Sequence, residues 1–451
     1  MIAIVGGGVA GLAAAHEVRR QDPSAQLVVL EAAARAGGLL ESERVGEWLC
    51  EWAAASFLED GADDWGAIEL CRELGVEVVV AAPTAKARWI FSRGRLRLVP
   101  ASPLGLLRSD LLSIAGKLRL LREPWAKARP DGDDESVAAF ARRRLGDEAA
   151  LVLVAPAVLG IFAGDAERLS LAAAFPRVAR LEREHGGLFA GLRAGRRKRA
   201  GRGAAHSVAP LAGAAALPEA LAARLGGAVR THARVVALEL GAGQTAVVLD
   251  GGERIEATRI ALALPPGAAA TLLAPHDARL AELAGEITAA DVLVVQVGFR
   301  RDDVPHRLDG FGFLVADGEA PRCLGCVFES SLWPARAPEG QVLLRLIYGG
   351  VRDPAALALA EDDAALAARV AQDLRLALGV IVAPTLLHHR RLARAIPQAE
   401  VGHLARVAEA ETRAAALGVV LAGNAWHGVA VNDCVRDARR VADALLAGRS
   451  A

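Results

Sequence analysis

The chain opens on Ile2, Ala3, Ile4 and Val5, an unbroken apolar run of the kind a strand buried on both faces of a parallel sheet requires. A glycine-rich turn, a helical pattern over residues 12–20 and a second apolar run, Leu27-Val28-Val29-Leu30, follow in that order. Further on, apolar residues at 104, 107, 111, 114, 118, 121 and 125 alternate steps of three and four between Pro103 and Pro124, which predicts one amphipathic helix. Leu106, Leu112 and Leu120 widen its apolar face, and Arg108, Lys117, Arg119 and Arg122 make the other face basic. Two readings stay open for it: a core-facing helix with a solvated basic side, or a helix lying on an anionic membrane surface.

Residues 130–135 read as an acidic, turn-rich linker, and 136–144 and 148–159 as helices. Six basic residues within 193–202 suit a mobile solvated loop better than a nucleic-acid or lipid patch. Strand patterns then recur at 228–240, 245–250 and 254–264, where they would complete a nucleotide-binding sheet, with a helix at 217–225 before them. A second set, 292–299, 311–315, 322–329 and 342–348, predicts an antiparallel sheet in another domain. The last elements are a strand at 419–422, a glycine-punctuated turn, and a helix from near Asn432 to Leu446.

With 451 residues the chain suits two or three domains, and 53% hydrophobic residues supply ample core. The 53 basic side chains balance 53 acidic ones, so no net field recruits nucleic acid. Forty-nine Arg against four Lys reflect a GC-rich coding bias and carry no activity. Although mean hydropathy is +0.29, the longest uncharged stretches, 149–164 and 260–275, fall short of the ~20 residues that span a bilayer. No signal peptide is expected ahead of the first strand, and Cys50, Cys71, Cys323, Cys326 and Cys434 are too scattered for a disulfide framework. A reducing, cytoplasmic setting is expected. Cys323 and Cys326 sit in a strand pattern that turns them to opposite faces, and His388-His389 lacks partners at ligand spacing, so no metal site is expected.

The first turn, Gly6-Gly7-Gly8-Val9-Ala10-Gly11, carries a Gly-x-Gly-x-x-Gly fingerprint. Gly6 suits the tight turn, Gly8 close backbone approach to a pyrophosphate, and Gly11 close packing of helix on strand. Glu31, twenty residues after Gly11, suits a ribose diol and disfavours a 2′-phosphate. Beyond it Glu31-Ala32-Ala-Ala-Arg35-Ala-Gly37-Gly38-Leu39 places an arginine before a Gly-Gly turn. That segment resembles the second FAD fingerprint of the flavin amine oxidase and phytoene desaturase superfamily, in which arginine and turn sit against the dinucleotide.

Within that superfamily the chain resembles the oxygen-dependent protoporphyrinogen oxidases, closest to the myxobacterial type, along nearly all its length. The motifs that carry the resemblance are residues 88–100, Gly160-Ile-Phe-Ala-Gly-Asp165, Leu169-Ser-Leu, Glu182-Arg-Glu-His185, Gly310-Phe-Gly-Phe-Leu-Val315, Ile396-Pro-Gln398, Gly402-His403 and Gly428-Val-Ala-Val-Asn-Asp-Cys434. The resemblance implies an α/β Rossmann-like FAD-binding domain of the amine oxidase type, drawn from 1–85, 205–265 and 415–451. It implies an α+β substrate domain over 86–100 and 266–414, and a mainly helical, membrane-associating domain over 101–204.

The implied reaction takes a porphyrinogen to a porphyrin in three two-electron hydride transfers to FAD, which O2 reoxidises to give hydrogen peroxide. Arg88 matches a propionate-binding arginine, Phe311 and Leu314 match side chains that sandwich pyrrole rings, Gly160 matches a backbone contact to substrate, and Ile347 stands where relatives often have Met. FAD contacts are implied for Gly6, Gly7, Gly8, Val9, Ala10, Gly11, Glu31, Ala32, Arg35, Gly38, Leu39, Ala53, Ala54, Ala55, Ser56, Val235, Asn424, Gly428, Val429, Ala430 and Val431. The dipole of the last helix would face the flavin pyrimidine. No protein acid or base is implied.

Three departures stand out: Ala53-Ala54-Ala55-Ser56 replaces a Gly-Pro run followed by a polar residue, Ala212-Gly213 replaces Gly-Gly, and Trp426-His427 precedes Gly428 in place of the usual Tyr. They bear on flavin geometry and turnover. Related Gram-positive enzymes act on coproporphyrinogen III, which stays an alternative substrate. A desaturase or amine oxidase would leave the Arg88 and 311–315 segments without a reason, and a flavin- or tetrapyrrole-binding protein of weak activity is the non-enzyme alternative. Implied partners are the porphyrinogen, O2, an anionic membrane surface for a peripherally attached protein, the next haem-pathway enzyme as receiver of product, and a second copy in a homodimer. Nucleic acid is not among them.

Overall fold

The computed structural model describes residues 1–59, 65–100, 102–127, 129, 133–198, 206–241 and 244–447. The first apolar run is the strand Ile2–Val5, fully buried, at the centre of a five-stranded parallel sheet. Its order is Val229–Arg230, Leu27–Leu30, Ile2–Val5, Arg259–Leu262 and Val419–Leu421, so strands far apart in sequence share one sheet. Both faces are covered, which is why the strands read as continuous apolar runs. The helices Val9–Gln21, Ala216–Leu225 and Val431–Leu446 pack on one face. Pro266–Leu273, Ala278–Gly285 and His403–Ala416 pack on the other, with a small antiparallel sheet, Val235–Gly241, Gln244–Leu249 and Arg254–Glu256. The strand expected over 228–240 is thus two strands in two sheets, parted at His232, whose φ of 52° breaks extended backbone.

The second sheet has seven strands in the order Leu386–Pro397, Ala289–Arg300, Gln341–Gly349, Gly325–Val327, Gly312–Val315, Arg88–Ser92 and Arg95–Leu98. All its pairings are antiparallel except Gly312–Val315 with Arg88–Ser92. The strand expected from 322 to 329 is confined to Gly325–Val327, which leaves Cys323 in the preceding loop; both Cys323 and Cys326 are buried. Burial pushes their thiols up, away from thiolate character.

The single helix expected over 104–125 is three pieces: Pro103–Arg108, Ile114–Leu121 and the 3₁₀ turn Glu123–Trp125. Ser109 turns its hydroxyl back onto the Leu106 carbonyl, and Ser113 caps the second helix by accepting from the Gly116 N–H at 3.0 Å, so two local caps override a continuous ladder. The break buries Leu111, Leu112 and Leu120 but leaves Ile114, Leu118, Leu121 and Trp125 exposed, Trp125 at 80%. Arg119 does not join a basic face; it donates to the Arg142, Arg143 and Arg144 carbonyls at 2.7–3.3 Å. Behind the Trp125 turn, fully buried Arg144 donates to the carbonyls of Ala126 (3.1 Å) and Gly186 (2.6 Å) and to Glu182 (2.6 Å).

The helix expected over 148–159 contains a π turn, Ala150–Val154, before Ala155–Phe162. Pro156 lacks an N–H and crowds the carbonyl four residues before it, which widens that turn. Of the acidic linker, 130–132 lies outside the described residues, while Asp134 accepts from Ser170 and Gly402 and buried Glu135 pairs with Arg143; these two are therefore structural anchors. The basic stretch is helical through Lys198, in Leu188–Lys198, rather than a loop; its remainder lies outside the described residues.

Candidate active site

The first strand ends on a turn whose glycines do separate jobs. Gly6 has φ +109°, and a Cβ on it would lie 2.2 Å from the Ala263 carbonyl oxygen; one on Gly11 would lie 2.0 Å from the Gly6 carbonyl oxygen. Gly8 is different: only the Gly38 Cα comes within 4 Å, at 3.9 Å, leaving a backbone cradle open to a ligand. The Gly7 N–H donates to Glu31 Oε2 and the Ala33 N–H to Glu31 Oε1, both at 2.8 Å. Lone pairs remain on that carboxylate for a diol.

Arg35 donates to the carbonyls of Ala36 (3.0 Å), Gly38 (2.8 Å) and Leu40 (3.1 Å). It therefore stiffens the Gly37-Gly38 turn, which bridges back to Gly8 and brings the two glycine motifs together. Val235 is half-buried at the start of its strand, and Ala32 and Leu39 are exposed. At the far end of the chain Gly428 has φ +130°, and the Asp433 carboxylate accepts from the Ala430 N–H at 3.2 Å. Asn424, Val429 and Ala430 border this turn, and Val431 starts the helix Val431–Leu446. Asn432 faces elsewhere, accepting from the Ala67 N–H and donating to the Leu58 carbonyl, both at 2.9 Å.

One wall of the candidate site is formed by the seven-stranded sheet. In its register Ile90, Leu314, Gly325, Ile347 and Val294 form one row, and Arg88, Gly312, Val327, Arg345 and Gln296 form the next. Side chains alternate faces along a strand, so Arg88, Leu314 and Ile347 share a face, with Gly312 and Gly325 leaving gaps in it. From Arg88 to Arg345 is three strand spacings, about 14 Å. Gly160, exposed on the helix Ala155–Phe162, presses on this wall: a Cβ there would meet Leu314 Cδ2 at 2.4 Å. The Arg88 guanidinium lies over the Phe311 ring, 5.1 Å from its centroid, with no carboxylate partner among the described residues. Arg88 is exposed at the start of its strand, and partial loss of water around the guanidinium lowers its pKa from the ordinary value.

The segment carrying Ala53, Ala54, Ala55 and Ser56 crosses the same face, held by charges that spacing and motif did not reveal. Buried Arg345 donates to the Ala53 carbonyl at 2.7 Å, buried Arg336 to the Ala55 carbonyl at 2.7 Å, and Gln296 to the Glu51 carbonyl at 2.7 Å. Glu329, between the two arginines, pairs with Arg336 and with Arg345 (2.9 Å), while Glu51 meets Arg336 at 3.3 Å and accepts from the Ala214 N–H at 2.9 Å. Burial pushes the Glu51 carboxyl up against the opposing pull of Arg336. At Glu329 burial acts in the same sense, but Arg345 and Arg336 together outweigh it and hold the carboxyl below its ordinary value. The one trace of this group in the sequence is a polar residue inside an apolar strand run, Arg345 in one strand and Gln296 in the other.

Comparison with known proteins decides the family: the model for flavin containing amine oxidoreductases matches residues 9–446. The chain belongs to the flavin amine oxidoreductase family. Its relatives include the coproporphyrinogen III oxidase of Bacillus subtilis, 28% identical across 98% of this chain and 97% of that protein. The bovine protoporphyrinogen oxidase is 31% identical across 99% and 98%. Among solved structures, a candidate protoporphyrinogen oxidase from an Exiguobacterium species superposes with TM-score 0.84 at 25% identity, covering 98% of each chain. Putrescine oxidase shares the fold at 19% identity with TM-score 0.75, across 100% of this chain and 99% of that one.

As in its family, the cofactor of this flavin oxidoreductase is FAD. The open cradle at Gly8 and the Glu31 carboxylate fit that group. Among the described residues no cluster of His, Cys, Asp and Glu converges as a metal site, and no helix is long and apolar enough to cross a membrane.

Proposed function

We propose that this flavin oxidoreductase is a porphyrinogen oxidase acting on protoporphyrinogen IX. The observation that carries the reading is the Arg88 guanidinium, without a carboxylate partner and stacked on Phe311, at the edge of the apolar face that bears Leu314 and Ile347. Arg88 would bind a propionate in a charge-assisted pair. Phe311, Leu314 and Ile347 would hold the macrocycle flat and exclude water, with the exposed Gly160 backbone alongside. The bound FAD supplies the electron sink, taking two electrons per turnover and returning them to O2 as hydrogen peroxide. Positioning carries the catalysis, and no protein acid or base is assigned. Arg345 on the same face is paired with Glu329 and Arg97 lies near Asp110, so among the described residues Arg88 is the cation of this wall left without a carboxylate, which favours the dipropionate protoporphyrinogen IX over the tetracarboxylate coproporphyrinogen III.

The test is to add protoporphyrinogen IX, and coproporphyrinogen III in parallel, to FAD-loaded protein while following porphyrin fluorescence and peroxide. Protoporphyrin should appear well above autoxidation with one peroxide per two-electron step. A faster response to coproporphyrinogen III would reassign the substrate, and no gain with either would overturn the reading.

The protein is also proposed to attach peripherally to anionic bilayers. The exposed Ile114, Leu118, Leu121 and Trp125 lie beside exposed Arg108, Arg122 and Lys127, with the Trp125 turn braced from behind by Arg144. In a pelleting assay with vesicles containing phosphatidylserine, binding should fall as salt screens the basic side chains. Replacing Trp125 with alanine should weaken it at every salt concentration. Equal recovery with and without vesicles would remove this proposal.

A further inference from the structure

Ala55 stands where relatives carry a polar side chain beside the flavin, so the segment has no side-chain donor at that position. Its backbone supplies an alternative. Each peptide unit is planar and trans, so the C=O of one residue and the N–H of the next point in opposite directions; no cis peptide occurs in the described chain. With the Ala53 carbonyl held by Arg345 and the Ala55 carbonyl by Arg336, the N–H groups of Ala54 and Ser56 are turned away from the buried charges. That direction is the open one: Arg336 and Arg345 are buried, while Ala54 is exposed and Ser56 half-buried. Neither N–H has an acceptor among the described residues.

We propose that Arg336 and Arg345 are positioning residues: by anchoring the Ala55 and Ala53 carbonyls they fix the Ala54 and Ser56 N–H groups as hydrogen-bond donors to the polar edge of the flavin ring. This rests on the assignment of the segment as flavin-facing. Such donors stabilise the negative charge that builds on the ring when it accepts electrons, and they do so without reorganising because the carbonyls are already tied back. Glu329 and Glu51 complete the device. Glu329 pairs with both arginines and Glu51 with Arg336, which holds the two guanidinium groups in place behind the segment.

The experiment measures the midpoint potential and absorption spectrum of bound FAD by reductive titration against a reference dye, with no porphyrinogen present. Failure to oxidise a porphyrinogen therefore leaves this test unaffected. The variant is Arg345→Met combined with Glu329→Gln, which removes one positive and one negative charge together, so a shift cannot arise from net charge. The expected result is a folded, FAD-loaded protein whose two-electron equilibrium moves at least tenfold toward oxidised flavin, a fall of about 30 mV, with a displaced flavin absorption band. A potential and spectrum equal to the wild type would overturn the proposal and leave the arginines as scaffold alone. If the double variant does not retain FAD, Arg345→Lys is read by the same two measurements. Its ammonium keeps the charge but cannot reproduce the guanidinium fork that reaches Glu329 and Ala53 together, so the same fall is expected and its absence is equally fatal.

Discussion

Gly6→Ala should yield a chain that folds poorly and does not retain FAD. The new methyl group would sit 2.2 Å from the Ala263 carbonyl oxygen, a backbone atom that extends the neighbouring strand Arg259–Leu262 and cannot swing aside. Overpacking of this kind costs about 1–3 kcal/mol, and an alanine held in a left-handed backbone conformation adds about 1–2 kcal/mol. Because this strain falls on the turn that meets the cofactor, the ratio of flavin to protein after gel filtration should fall well below that of the wild type, with a lower Tm. Gly46→Ala is the control: its φ is +59° but nothing lies within 4 Å, so it bears conformational strain alone and should keep its flavin. An FAD content for Gly6→Ala equal to that of the control would show that the turn tolerates a side chain.

Arg88→Ala should raise KM for protoporphyrinogen IX while leaving FAD content and Tm near the wild type. Hydrogen bonds to charged groups contribute about 1.5–3 kcal/mol, which corresponds to a rise of roughly ten- to a hundredfold. The side chain has no carboxylate partner to lose among the described residues, so the change should fall on substrate binding rather than on the fold. Arg88→Lys should recover part of the loss, because an ammonium pairs with a propionate but does not offer the same bidentate fork. An unchanged KM would remove Arg88 from the substrate site.

What was legible in the sequence was whatever is built from neighbours. The turn from Gly6 to Gly11, the acid at Glu31 and the buried strands are local, so apolar runs and glycine spacing reveal them without knowledge of the rest of the chain. Periodicity over 104–125 suggests one helix because the apolar spacing runs on through Ser109 and Ser113, whose caps end one helix and start another; those serines are the stop and start signals. Motif resemblance points to Arg88, Leu314 and Ile347 one by one, but that they share one face follows from strand pairings between distant segments. The Glu51, Glu329, Arg336 and Arg345 group is largely hidden for the same reason: apart from Arg345 inside an apolar strand run, its members are unremarkable in their own stretches. Only tertiary packing brings Glu51 against Arg336, 285 positions away.

The parallel sheet also constrains how this protein can be made. The strand Ile2–Val5 leaves the ribosome well before Val419–Leu421, which completes the sheet, and before the helix Val431–Leu446, which packs on Val9–Gln21. At translation rates of 5–20 residues per second, about 20–80 s pass between them. For that interval the helix Val9–Gln21 is without its long-range packing partner, and a nascent chain stalled before residue 419 exposes to water the apolar face that Val431–Leu446 would cover.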